Sequence, residues 1–217
     1  MRKILGISYE CLEFARATDQ MTIWQDGLYL LCRKLPGHTD PVVTIVKLGL
    51  IRRLPGIVSE ACRHRAFVGR DYHDDLIAPM LVQSRLEDYL HSLRELATLD
   101  SASLGPVVRC QKYLADEIER ATGLEARALA ARYLHFHLPR LAPAYDRALT
   151  KVLGKVCVRR IHRSDIPDGG DPAYSQFCAQ ILLLQEEIEE NFEFRLTLRQ
   201  IERLLQFLSQ RGVATES

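Results

Sequence analysis

Residues 174–192 read YSQFCAQILLLQEEIEENF, and their spacing decides the fold. Phe177, Ile181, Leu184 and Ile188 recur at three- and four-residue steps, while Glu186, Glu187, Glu189 and Glu190 fill other positions. That is the period of a helix with one apolar stripe, not the two-residue alternation of a strand. Arg199 to Leu208 repeats it through Ile201, Leu204, Leu205 and Leu208, with Thr197 at the N-cap position and Gly212 after the last turn.

The same period extends towards the N-terminus. Val107 to Ala121 reads as a helix opened by Pro106, where a missing N–H costs nothing. Asp75 to Leu99 reads as one helix or as two interrupted at Pro79. Pro41 to Leu54 is a buried helix that stops at Leu54-Pro55-Gly56, and Ile57 to Phe67 continues as a short one. No stretch alternates convincingly; Lys155 to Arg159 is the one candidate for a short extended piece. The expected fold is therefore all-α, with about nine to eleven helices. Loops are expected at Leu35 to Asp40, Val68 to Asp74, Leu99 to Gly105 and His162 to Pro172. The Pro- and Gly-rich run Ile166 to Pro172 is the strongest loop signal and reads as a mobile surface segment. The chain is read as a single helical domain, residues 1–217, with room for two lobes (1–105 and 106–217) packed around a cleft.

Composition excludes more than it identifies. An apolar fraction of 47% in 217 residues fills a core, which argues against disorder. The longest apolar runs, such as Ile181 to Leu184, are far shorter than the roughly 20 residues of a membrane span. The N-terminal stretch lacks the apolar core and cleavage site of a signal peptide, so a cytoplasmic location is expected. Cys11, Cys32, Cys62, Cys110, Cys157 and Cys178 show no metal-ligand spacing and sit beside apolar residues, as buried thiols of a reducing compartment do. Trp24 reads as core, and Asp71 to Asp75 as a loop entering a helix N-cap. His135 and His137, two apart, point to different sides of a helix and make a poor metal pair. No phosphate-binding or dinucleotide fingerprint is present, and no metal or cofactor is expected.

Net charge is +1, but it hides an asymmetry. From Leu124 to Arg163 nine basic residues stand against only Glu125 and Asp146. Such a zone either binds phosphates or forms a solvated face whose arginines pair with the acidic helix near Glu186.

Within that zone, residues 121–153 read ATGLEARALAARYLHFHLPRLAPAYDRALTKVL. A helix ends at Gly123, a second runs from Glu125 to Phe136, and a third begins at Asp146 and carries Arg147 and Lys151. Backbone amides at such a turn form a phosphate site, and a carboxylate at a helix start is stabilised in its charged form. Asp146 is thus a candidate catalytic group, a DNA contact or a plain cap.

Residues 131–147, ARYLHFHLPRLAPAYDR, resemble a line that recurs in bacterial 8-oxoguanine-glycosylase-like proteins of the helix-hairpin-helix DNA glycosylase superfamily. Thr44 to Pro55 is similar to that group's early helix and Leu196 to Leu205 to its final one. The resemblance implies a two-lobed orthogonal bundle and a hairpin whose Gly precedes an essential Asp by roughly two dozen residues, as Gly123 precedes Asp146. It implies Asp146 as the catalytic carboxylate, Gly123, Arg127, Arg132, Arg147 and Lys151 against DNA, and His135 and Tyr145 at a pocket for an extruded base. The partner would be double-stranded DNA with a damaged or modified base. Two departures matter. Glu125 stands where the hairpin has a second Gly, and Arg127 and Arg132 stand where the lyase members have Lys. A guanidinium does not lose its proton to become a nucleophile, so no lyase step is expected. The alternative is a noncatalytic module that binds nucleic acid or protein.

Overall fold

The structure is a computed structural model, which describes residues 7–17, 23–51, 71, 73–157 and 159–212. The described residues form ten α-helices and no strand: α1 Tyr9–Arg16, α2 Ile23–Lys34, α3 Pro41–Ile51, α4 Ala78–Gln83, α5 Leu86–Arg94, α6 Ser101–Thr122, α7 Arg127–His137, α8 Arg147–Val156, α9 Pro172–Phe192 and α10 Leu198–Gln210. The fold is all-α. No described helix is long and apolar enough to cross a membrane. The expected helix Ile57 to Phe67, Cys62 and the Trp24 side chain lie outside the described residues.

The caps explain the boundaries. Asp171 accepts a hydrogen bond from the Tyr174 amide, and Pro172 opens α9. Thr197 and Gln200 form a reciprocal capping box at α10, as Asp100 and Ser103 do at α6. The second box corrects the sequence reading: α6 starts at Ser101, so the expected loop Leu99 to Gly105 is mostly helix and Pro106 lies inside it. Proline is tolerated there because the N–H it lacks would have bonded the carbonyl of exposed Ala102, one turn from the helix start, which water can solvate. Gly105, just before it, has no Cβ to clash with the ring. The suggested lobe boundary thus falls within an unbroken helix.

Three further expectations change. Pro79 lies in the first turn of α4, after a π-helical turn His73–Ile77, and the break falls at Ser84-Arg85 instead. Lys155 and Val156 finish α8 rather than forming an extended piece. The run Ile166 to Pro172 is anchored: a Cβ on Gly170 would meet Val108 Cγ2 at 2.7 Å, and Asp171 pairs with Arg127 at 2.6 Å.

Helix α7 lies at the centre, against α2, α3 and α6, while α10 packs on α1, α8 and α9. Leu129 to Phe136 are all buried, so α7 has no solvated face along that stretch. Yet it carries Arg132, Tyr133, His135 and His137. Buried polar groups need partners, and where α7 finds them positions the site.

Candidate functional site

A turn joins α6 to α7 close to where the sequence places one. Gly123, at φ 72°, ends α6 in the left-handed region and donates its amide to Glu119. The second helix begins at Arg127, two residues later than expected, with Ala126 before it offering no side-chain cap. Glu125 occupies the mouth of the turn. Its carboxylate takes Arg127 at 2.7 Å and Arg147 at 2.9 Å, and Arg127 also holds Asp171. Three of the expected phosphate binders, Arg127, Arg132 and Arg147, are thus engaged with carboxylates, while Lys151 is exposed. Farther along the basic zone, Arg159 pairs with Glu186 and Glu190 of α9, which is the solvated-face alternative realised at that residue.

Asp146 caps α8. Its Oδ1 accepts from the Ala148 amide at 2.7 Å and the Leu149 amide at 3.3 Å. Its Oδ2 accepts from Arg132 at 3.2 Å, and the side chain is 25% exposed. Two amides and a guanidinium thus engage the carboxylate at the first turn of α8.

Arg132 leads from Asp146 into a cleft of about 370 Å³ between α1, α2, α7 and α10. Its walls include Phe14, Tyr29, Arg132, His135, Arg199 and Glu202. That volume lies within the roughly 300–1,000 Å³ of ligand pockets. Asp146 is not on the wall; Arg132 stands between it and the cleft. His135 forms part of the floor, with Nδ1 2.8 Å from the Ala142 carbonyl, Nε2 2.5 Å from Tyr29 Oη and Glu202 Oε2 3.9 Å away. Burial, more than any neighbouring charge, lowers its pKa below the ordinary histidine value. Arg199 lies over the Tyr29 ring, 4.5 Å from its centroid.

The structure thus brings Arg132, His135 and Asp146 together and leaves Tyr145 apart. Tyr145 is 6% exposed and packs edge-on to Phe177 at 5.3 Å and Tyr174 at 6.3 Å, so it is core rather than pocket. The wall residues Tyr29, Arg199 and Glu202 were missed in the sequence, and nothing local marks Tyr29. A hint was present in α10: Arg199, Glu202, Arg203 and Gln206 recur at helical steps beside the apolar stripe and form one polar face.

The other side of α7 differs. His137 lines a second cleft, of about 580 Å³, with Cys32, Arg33 and Arg94. Behind it the His38, Tyr133 and His137 rings meet, with centroids 4.7 to 5.4 Å apart. His38 pairs with Glu87 through Nδ1. Its Nε2, the Tyr133 hydroxyl and both His137 nitrogens are buried and find no hydrogen-bond partner among the described residues. Buried Lys47 donates to the Gly37 carbonyl at 2.9 Å. The histidines thus point to different sides of α7, and no group of three or more His, Cys, Asp or Glu among the described residues is arranged to hold a metal. Cys11, Cys32, Cys110 and Cys178 are buried, and burial pushes the Cys32 and Cys110 thiols up to about 12.

Comparison with protein-family models, with curated proteins and with solved structures finds no match to the chain.

Proposed function

We propose that the chain recognises a damaged or modified base extruded from double-stranded DNA and releases it by hydrolysis, as a monofunctional N-glycosylase of the helix-hairpin-helix kind. The observation that carries this reading is the continuity from cap to cleft: Arg132 both pairs with Asp146 and forms a wall of the cleft. In this reading the sugar of a base held in the cleft lies beside Arg132, and the partly exposed Asp146 carboxylate paired with it supports the cationic sugar as the glycosidic bond breaks. The aromatic faces of Phe14 and Tyr29 suit a planar ring, and the guanidinium and carboxylate groups suit its polar edge. The finer architecture we infer is a two-lobed bundle with the cleft between its lobes. No lyase step is included, since Arg127 and Arg132 stand where a nucleophilic amine is required.

One observation favours a second reading, a nucleic-acid-binding module without chemistry: both Asp146 oxygens are already engaged. Release of free base from a panel of modified-base duplexes separates the two. The hydrolytic reading expects release that falls at least about 100-fold in Asp146→Asn and no borohydride-trapped adduct. Binding without release by the wild type supports the module. Because much of the hairpin charge is neutralised internally, the affinity should fall with salt at a shallow log–log slope, about −2 to −3.

A further inference from the structure

The floor of the cleft holds a hydrogen-bond chain whose polarity elementary chemistry fixes. The Ala142 carbonyl can only accept, so its 2.8 Å contact requires the proton on His135 Nδ1. Burial keeps the ring neutral near pH 7, against the opposing pull of Glu202, while Arg132 and Arg199 add to the effect. Nε2 is then an acceptor, and Tyr29 Oη, 2.5 Å away, must donate to it. Hydroxyl, base and orienting carbonyl stand in the order of a nucleophile-activating array. Arg199, 4.5 Å over the Tyr29 ring, sets a cation against the group that would carry negative charge.

Asp146 is poorly placed to take a proton from water. Oδ1 accepts two amides and Oδ2 is held by Arg132. Asp146 also lies off the cleft wall, so an acceptor that lines the cleft is better placed.

The geometry points to Tyr29 and His135 as the proton relay that activates water for base release in this cleft, with Tyr29 as the catalytic residue and His135 the proton acceptor behind it. This rests on the hydrolytic reading proposed above. In the step, the water oxygen bonds to C1′ of the sugar as the C1′–N bond breaks and its electron pair leaves on the base. The water proton passes to Tyr29 Oη while the Tyr29 proton passes to His135 Nε2. The imidazolium then returns a proton through Tyr29 to the base nitrogen. One water is consumed, a free base and a sugar hydroxyl are formed, and no redox partner is involved.

Tyr29→Phe tests the relay and keeps the ring. Single-turnover base release should fall by about 100-fold, within the range for a lost acid–base group, with duplex affinity unchanged within about twofold. The wild-type rate should decline with acidity below the ordinary histidine range as His135 protonates, and Tyr29→Phe should abolish that limb. Nitrogen-15 NMR of the free protein should show the Nδ1–H tautomer of His135, with a titration that shifts in Tyr29→Phe. An Nε2–H tautomer, or a Tyr29→Phe variant with the wild-type rate and pH limb, overturns the relay and leaves hydrolysis standing. A wild-type chain that releases no base from any duplex overturns both.

Discussion

His135 and His137 stand two residues apart on α7, and their surroundings are opposite. His135 is 2% exposed and satisfied at both nitrogens, by the Ala142 carbonyl and the Tyr29 hydroxyl. The nitrogens of His137 are equally sealed from solvent and satisfied at neither. The contrast extends outward. Around His135 the charged groups Arg132, Arg199 and Glu202 line an open cleft. His137 also borders a cleft, with Arg33 and Arg94, but its ring nitrogens are turned away into a layer made by the His38 and Tyr133 rings, with Lys47 nearby. Burial alone does not distinguish the two histidines; the difference lies in what each nitrogen meets.

The largest test of the contrast is acidity. Burial lowers the His38 pKa to about 4 from its ordinary 6.5. Between those values the unfolded chain binds a proton that the folded chain refuses. The His38 contribution is therefore fully present above pH 6.5 and is lost progressively as pH falls to about 4. The loss is roughly 3 kcal/mol. Urea denaturation at pH 7 and 4.5 should show a pH dependence smaller in His38→Leu than in the wild type by most of that amount, with the buried His135 and His137 adding the same share to both. Equal pH dependence in both would show that the His137 side is not the acid-sensitive one.

His135→Leu comes next. It strips partners from the Tyr29 hydroxyl and the Ala142 carbonyl, and should cost about 2–3 kcal/mol at pH 7 in the same denaturation assay. His137→Leu removes polar atoms that nothing satisfies; it should change stability by no more than about 1 kcal/mol, in either direction. If His137→Leu destabilises as much as His135→Leu, the two sides of α7 are not chemically different. The smallest effect is on binding. Glu125→Gln removes the negative charge between Arg127 and Arg147 and should steepen the salt dependence of DNA binding by about one in log–log slope.

The same contrast explains what was legible in the sequence. Helix periodicity is local, so α9 and α10 could be read from Phe177 to Ile188 and from Ile201 to Leu208. Asp146 as the cap of α8 and Gly123 as the end of α6 were legible because each acts on backbone a few residues away. The start of α6 was misread because Pro106 is a conspicuous signal, whereas the Asp100–Ser103 box outweighs it through local hydrogen bonds. Tyr145 was misassigned because an aromatic beside a carboxylate looks the same on paper whether it faces a cleft or Phe177. The rest of the site depends on long-range contacts: Tyr29 meets His135 across 106 residues. Nothing local in α2 marks Tyr29, and only the polar stripe of α10 hints at Arg199 and Glu202.

The most direct test of the account follows the ring nitrogens of His135 and His137 by NMR while a DNA duplex is titrated in. The duplex would carry a non-hydrolysable 2′-fluoro nucleotide opposite an abasic-site analogue, where extrusion costs least. The account predicts that the His135 signals move saturably with duplex concentration while those of His137 stay in place. Movement of His137 alone, or of neither histidine at saturating duplex, would contradict it.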